Sequence, residues 1–495
     1  MHRNRVSWPR LTRALVAACA LMSLGAQAAT IVIQSRDPAG VGFNDPTPVA
    51  PVGGNPGVTL GQQRFNVYRY VADIWEQNLQ SNVVITVSAG WEPLTCTANS
   101  AVLGSAGAWN IWRDFTGSKP GTWYPQALAN KLFGANLSAN VPDDGSGYGN
   151  VDIKTQFNIN LGQPDCLAGS PFYLGLDGQA GGQVNFVETL LHELGHGLGF
   201  SVLTVQTATG KRLNAEGTAY AEVGLPSVWE AHMYDNTQGK TWLAMSNAER
   251  QASAVNPLRL AWTGANAVAG ASLLTQLPVI NVVSPQPGVS SAIDYNPSAF
   301  GPAIATPGAL GILALIAPQA GEAGPGCSPF NAANAAAVKR RVPIISRGGC
   351  TFATKVKNAQ NAGAVGAVLA NNVAGGFAPG GSDPTITIAS GGVSLADGTR
   401  LKAAVSGALI YGSRSRPGTV TASWSSDPVR RAGADLAGRP LLYTPATLAP
   451  GSSVSHWDVT ASPNLLMEPN INADLGIVLD APKDLTLPLL KDMGW

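Results

Sequence analysis

Apolar positions divide the chain into segments of two periods. Over 62–79 (QQRFNVYRYVADIWEQNL), Phe65, Tyr68, Ala72, Trp75 and Leu79 recur at intervals of three and four, which predicts a core-facing amphipathic helix. Over 183–200 (QVNFVETLLHELGHGLGF), Val184, Val187, Leu191, Leu194 and Leu198 repeat that spacing and predict a second helix. Short β-branched runs predict strands over 31–33 and 83–87. Over 152–161, Ile153, Phe157 and Ile159 alternate with polar residues, the pattern of a half-exposed edge strand able to pair with an extended peptide. The apolar stretch 302–318 holds three prolines and two glycines, so buried strands and turns fit it better than a membrane helix.

Composition narrows the class. The chain has 495 residues, enough for several domains with sizeable cores. Charged residues are 12%, about half the usual share of roughly 25%. With 57 glycines and 35 prolines, turns and short strands dominate. A net charge of +1 excludes a broad nucleic-acid footprint, a coiled coil and a polybasic membrane binder. Arg3, Arg5, Arg10 and Arg13 precede an apolar run over 14–25, and Ala26-Gln27-Ala28 follows as a small-x-small cleavage site. This predicts a signal peptide over 1–28, too short in its apolar part to be a stable membrane span. The mature chain then carries 27 basic and 30 acidic residues, a net charge of −3, and is secreted, to the periplasm or beyond the cell. Cys19 leaves with the signal. Cys96, Cys166, Cys327 and Cys350 remain, an even number that suggests two disulfides with three pairings open.

The second helix carries the chemistry. His192 and His196 lie four apart, so both imidazoles reach one point beside the apolar stripe. Glu193 stands between them. This HExxH pattern offers two nitrogen ligands to zinc and a carboxylate as general base. Gly195, Gly197 and Gly199 are costly inside a helix and imply close packing and a sharp turn. Glu188 lies one turn before His192, where the helix dipole favours an acid. Catalytic zinc takes three protein ligands and leaves a position open. The short HExxHxxGxxH spacing would place the third at Val202, which cannot bind a metal. Glu230, His232, Asp235 and His456 remain as candidates.

HELGHGLGF, followed far downstream by Gly451-Ser452-Ser453-Val454-Ser455-His456-Trp457-Asp458 and then Leu466-Met467, resembles the leishmanolysin family of metzincins. The closing segment, from Asp484-Leu485-Thr486-Leu487 through Asp492-Met493-Gly494-Trp495, resembles that family's last helix. The resemblance implies His456 as third ligand, Met467 as the apolar floor of the Met-turn, and one catalytic Zn²⁺. Val342-Pro343-Ile344-Ile345-Ser346-Arg347-Gly348-Gly349-Cys350-Thr351-Phe352, with the residues on to Asn371, resembles a protease-associated (PA) domain, a small α/β module found in many proteases. The implied fold is mixed, α+β with α/β. A metzincin-like zincin catalytic domain, a twisted sheet plus active-site helix, occupies 29–276 and 426–495. The PA domain interrupts it over 277–425. Cys327 and Cys350 then share the insert, and Cys96 and Cys166 the first catalytic segment, which favours those pairs. The insert holds no histidine and would dock substrate or control access. The expected function is a secreted zinc endopeptidase acting on protein or peptide substrates. The alternative is a secreted binding or adhesion protein with a structural or degenerate zinc site, which would have no use for Glu193 as a base.

Overall fold

Ile31–Ser35 forms β1, which pairs in parallel with β2, Ile85–Glu92, from Ile31 opposite Ile85 to Ser35 opposite Ala89. The computed structural model describes residues 27–141, 150–285, 290–411, 419–472 and 474–495. Most of the expected signal peptide therefore lies outside the described residues. Strand β3 is Gly104–Ala108 and β4 is Ile153–Asn158. The sheet order is β1-β2-β4-β3, with β4 parallel to β2 and antiparallel to β3.

This corrects the expectation of an edge strand over 152–161. Strand β4 is internal, and β3 is the edge beside it. The alternation in β4 misleads because Thr155, polar in sequence, is buried, sharing a 2.8 Å hydrogen bond with the Tyr68 hydroxyl and donating to the Ser88 carbonyl. Strand β3 reads GSAGA and shows no apolar period at all.

Helix α1, Leu60–Asn78, is N-capped by Thr59, whose hydroxyl accepts from the Gln62 amide. It buries Val67, Tyr68, Val71, Ala72 and Trp75. Phe65, expected in the stripe, is 44% exposed. It lies at the margin of the buried arc and packs edge-on against Phe43.

Helix α2, Phe186–Leu198, starts at Asn185, whose side-chain oxygen accepts from the Val187 and Glu188 amides. It stops at Gly199, whose φ of 118° is left-handed and open to glycine at little cost.

The insert forms an eight-stranded mixed sheet between Gln276 and Arg431. Its parallel strands Val342–Ser346 and Gly366–Ala370 are almost wholly buried, which accounts for their continuous apolar sequences. Helix α3, Phe352–Asn361, joins them and is N-capped by Thr351. One cluster of buried side chains holds Ile280, Leu313, Val368 and Trp424, and a second holds Val338, Ile345, Val356 and Leu369.

A separate core unites the two ends of the chain. Tyr68, Trp75, Phe157, Leu194 and Trp262 share it with Leu442, Trp457, Met467 and Leu490, the last from α4, Thr486–Met493. The insert leaves and returns at one place. The Ala432 amide donates to the Thr275 carbonyl, and the Thr275 amide to that of Ser462. Residues far apart in sequence can therefore pack together without a long loop to order. The disulfides are Cys96–Cys166 and Cys327–Cys350, with Cα separations of 5.0 and 5.7 Å. Among the described residues, no helix is long and apolar enough to cross a membrane.

Candidate metal centre

Gly195 and Gly197 inside α2 and Gly199 at its end let the helix sit against its neighbours. A Cβ on Gly195 would stand 2.8 Å from Met467 Sδ, one on Gly197 2.3 Å from Ile153 Cγ2, and one on Gly199 2.7 Å from Pro125 Cγ. Met467, fully buried, thus lies against the helix between the two HExxH histidines. Gly197→Ala forces Ile153 of the central strand to move. Overpacking near the upper end of its usual range, about 3 kcal/mol, outweighs the roughly 1 kcal/mol that alanine gains in a helix. A net loss of about 2 kcal/mol is expected, visible as a lower urea midpoint; an unchanged midpoint contradicts the packing argument.

His456 arrives from the far end of the chain on a braced segment. Its carbonyl accepts from the Tyr443 amide, and the next residue, Trp457, donates its amide to the Met467 carbonyl. The Ser455 hydroxyl accepts from the Val202 amide just after α2. Val454, buried and β-branched, has a φ of 69°. Such a residue in the left-handed region costs about 1–3 kcal/mol and persists only where the surroundings enforce it.

The three imidazoles converge. His196 Nε2 lies 3.1 Å from both His192 Nε2 and His456 Nε2. Among the described residues, these three form the one group whose potential ligand atoms all lie within 4.8 Å of one another. Each Nδ1 faces a backbone carbonyl: that of Leu466 at 2.8 Å, of Phe200 at 2.7 Å, and of Ser452 at 2.9 Å, for His192, His196 and His456 in turn. A carbonyl only accepts, so each Nδ1 holds the proton and each Nε2 presents a lone pair. Burial keeps the rings neutral. It lowers His192 to about 4. It lowers His456, with His192 adding to the effect, to about 3. It holds His196, between the other two, well below its ordinary value. Three lone pairs facing one another without an intervening proton repel unless a cation joins them. Zinc–nitrogen bonds of about 2.0–2.1 Å in a tetrahedron set ligand nitrogens about 3.3 Å apart, close to the spacing here.

Glu193 lies beside the cluster. Burial pushes its carboxyl up to about 8, against the effect of a hydrogen bond from the Ala106 amide of β3. A cation at the histidines would act in the opposite direction. A cleft of about 980 Å³ opens here, lined by Gly104, Ser105 and Ala106 of β3, by Glu188, Glu193 and the three histidines, and by residues 469–472. Among the described residues, none of 276–431 lines it. Strand β3 and the wall at 469–472 went unrecognised in the sequence. A run of small residues between turns was the only signal for the strand.

The other three metal-ligand candidates lie elsewhere in the packing. Glu230, fully buried, is ion-paired with Arg212 at 2.6 Å and accepts from the Ser227 amide. Asp235 accepts from the Ser253 hydroxyl and from the Thr237 and Gln238 amides. His232 stacks on Trp262, ring centroids 5.1 Å apart. None of them belongs to the converging group. A buried carboxylate satisfied by an arginine or by turn amides looks the same in sequence as a metal ligand.

Comparison with known proteins bears on the insert. Residues 310–401 match the PA domain family. The chain carries a PA domain. The receptor homology region, transmembrane domain- and RING domain-containing protein 1 of Oryza sativa subsp. japonica is 33% identical over 132 residues, 26% of this chain and 24% of that protein. The chain therefore spans about a quarter of the length of this curated relative. Among solved structures, BSAP, a zinc aminopeptidase from Bacillus subtilis, is similar at 18% identity and a TM-score of 0.20, over 33% of this chain and 36% of that one. An aminopeptidase from Aneurinibacillus sp. strain AM-1 gives 17% and 0.19, over 32% and 37%. The psychrophilic subtilisin-like protease Apa1 from Pseudoalteromonas sp. AS-11 gives 18% and 0.22, over 31% and 34%. At such TM-scores none of the three bears on the histidine cluster.

Proposed function

We propose that this chain is a secreted zinc-dependent endopeptidase of the leishmanolysin-like metzincin type, its catalytic domain split by the PA domain. The observation that carries the reading is the convergence of three neutral, buried Nε2 lone pairs beside the Glu193 carboxyl in an open cleft. His192, His196 and His456 would hold the metal, with Met467 packed beneath. When bound, zinc supplies Lewis acidity that polarises water and a substrate carbonyl. Each Nδ1–carbonyl hydrogen bond fixes its ring in the orientation a ligand needs. Glu193 takes a proton from the attacking water and returns it to the leaving amine. The Ala106 amide holds that carboxyl towards the cleft.

Strand β3 replaces β4 as the element offered to substrate. Among the described residues its outer side has no partner strand, and an extended peptide can add there through main-chain hydrogen bonds. Docking by the PA domain would act away from the cleft, whose lining takes none of that domain's described residues. A structural zinc site would leave a buried carboxylate beside the metal without a task.

The test is digestion of an unfolded protein substrate by the full chain, with metal analysis. Activity is expected to disappear when a chelator strips the metal and to return with one equivalent of zinc. Undiminished cleavage by the metal-free chain, or none by the zinc-loaded chain, rejects the proposal.

A further inference from the structure

We infer that the Cys327–Cys350 disulfide of the PA domain is an exchange site for low-molecular-weight thiols. The thiolate of such a thiol attacks Cys350 Sγ and forms a mixed disulfide there. The Cys327–Cys350 bond breaks, and Cys327 leaves as a thiolate beside the Lys355 ammonium. One thiolate is consumed and one is released, so the step needs no further oxidant or reductant. The residues involved take no part in lining the metal cleft, and the inference is independent of the peptidase reading.

Lys355 carries the argument. A fully buried lysine is rare unless its ammonium is paired. This one, on α3, is fully buried, and among the described residues it forms no ion pair. Its Nζ instead donates to the Pro325 carbonyl at 2.5 Å and lies 3.4 Å from Cys327 Sγ. Burial lowers it from the ordinary lysine value, and the Glu322 carboxylate acts the other way. A cation against a sulfur favours thiolate over thiol, and a more stable leaving thiolate speeds attack on the partner sulfur. The roles follow: Cys327 leaves and Cys350 is attacked. Access agrees, because Cys350 follows Gly348 and Gly349, which have no side chain to shield it, and Thr351 beyond it is exposed.

The loop bearing Cys327 is also held by means other than the disulfide. Asn358, one turn along α3 from Lys355, donates to the Gly326 carbonyl at 3.0 Å. With Pro325 and Gly326 both fixed to the helix, opening leaves the two sulfurs close enough to rejoin, which is exchange and not unfolding. Cys96–Cys166 provides the contrast. Cys166 is fully buried, and its Sγ lies 3.4 Å from the neutral Asn158 amide nitrogen.

The probe is reduced glutathione at neutral pH, added to the full chain, with adducts assigned by mass spectrometry of its peptides after acid quenching. Glutathione is expected on Cys350, with Cys327–Cys350 opening about tenfold faster than Cys96–Cys166. Lys355→Met is expected to slow that opening about tenfold. A lysine that only braced the loop would act in the opposite sense, since its loss would loosen the loop and speed attack. A second measurement does not need this variant. In Cys350→Ser, Cys327 is a free thiol, and the pH dependence of its alkylation by iodoacetamide should place it at least about one unit below the ordinary cysteine value of about 8.5. Glutathione on Cys327 instead, equal opening of the two disulfides, an unchanged or faster rate in Lys355→Met, or an ordinary titration of Cys327 each overturns the inference.

Discussion

Glu193→Gln is expected to lower kcat/KM on a peptide substrate by about a thousandfold, within the usual span of general-base contributions, while the chain keeps its zinc. The substitution is nearly isosteric. The glutamine amide oxygen can still accept from the Ala106 amide, so the approach of β3 to α2 is preserved. The three Nε2 atoms are untouched. Only the capacity to take up a proton is lost. In the metal-free chain, stability should not fall. Burial raises the Glu193 carboxyl to about 8, so the native fold disfavours the ionised side chain, and a neutral amide relieves that cost. A mutation that removes activity while leaving the melting temperature equal or higher is the signature of a group kept for chemistry at some expense to the fold. Hydrolysis of a quenched fluorescent peptide, with zinc measured per chain, checks the expectation. Activity within tenfold of wild type, with zinc bound, would remove Glu193 from the mechanism.

How much of this could be read from residues alone differs by element, for physical reasons. Helix α2 was legible throughout, because its stripe, its HExxH spacing and its glycines are all local signals. The glycines even announced the close packing now seen against Met467, Ile153 and Pro125. Strand β4 was legible as a strand but not in its place, since alternation reports burial of one face and says nothing about which neighbours pair at the edges. Thr155 is buried through a hydrogen bond to Tyr68 that joins residues 87 apart. Strand β3 was invisible, because glycine, serine and alanine carry no hydrophobic period. Phe65 departs from its expected burial for the opposite reason: it satisfies the spacing rule but lies at the margin of the buried arc. His456 was reached through a resemblance in motif order, and no local pattern distinguishes it from His232. What distinguishes them is tertiary: the Tyr443 and Met467 backbone contacts around His456, against the Trp262 face that covers His232.

That contrast sets the other large effect. His456→Ala is expected to lose about one zinc per chain and all measurable peptidase activity, whereas His232→Ala keeps both. His196 occupies the middle of the cluster, 3.1 Å from each of the other two nitrogens. Without His456 only the pair on α2 remains, and a three-ligand site cannot spare one. The substitution also removes the hydrogen bond from Nδ1 to the Ser452 carbonyl, so some loss of stability in the metal-free chain is expected and would not by itself be informative. The discriminating quantity is therefore the response to zinc. A ligand that binds only the native state stabilises it by about 4 kcal/mol at a thousandfold excess over its Kd. Adding zinc to the stripped protein should raise the melting temperature of wild type and of His232→Ala by several degrees, and leave His456→Ala unmoved. If the His456→Ala chain instead responds to zinc like wild type, and His232→Ala does not, the histidine from the far end of the chain is not the third ligand.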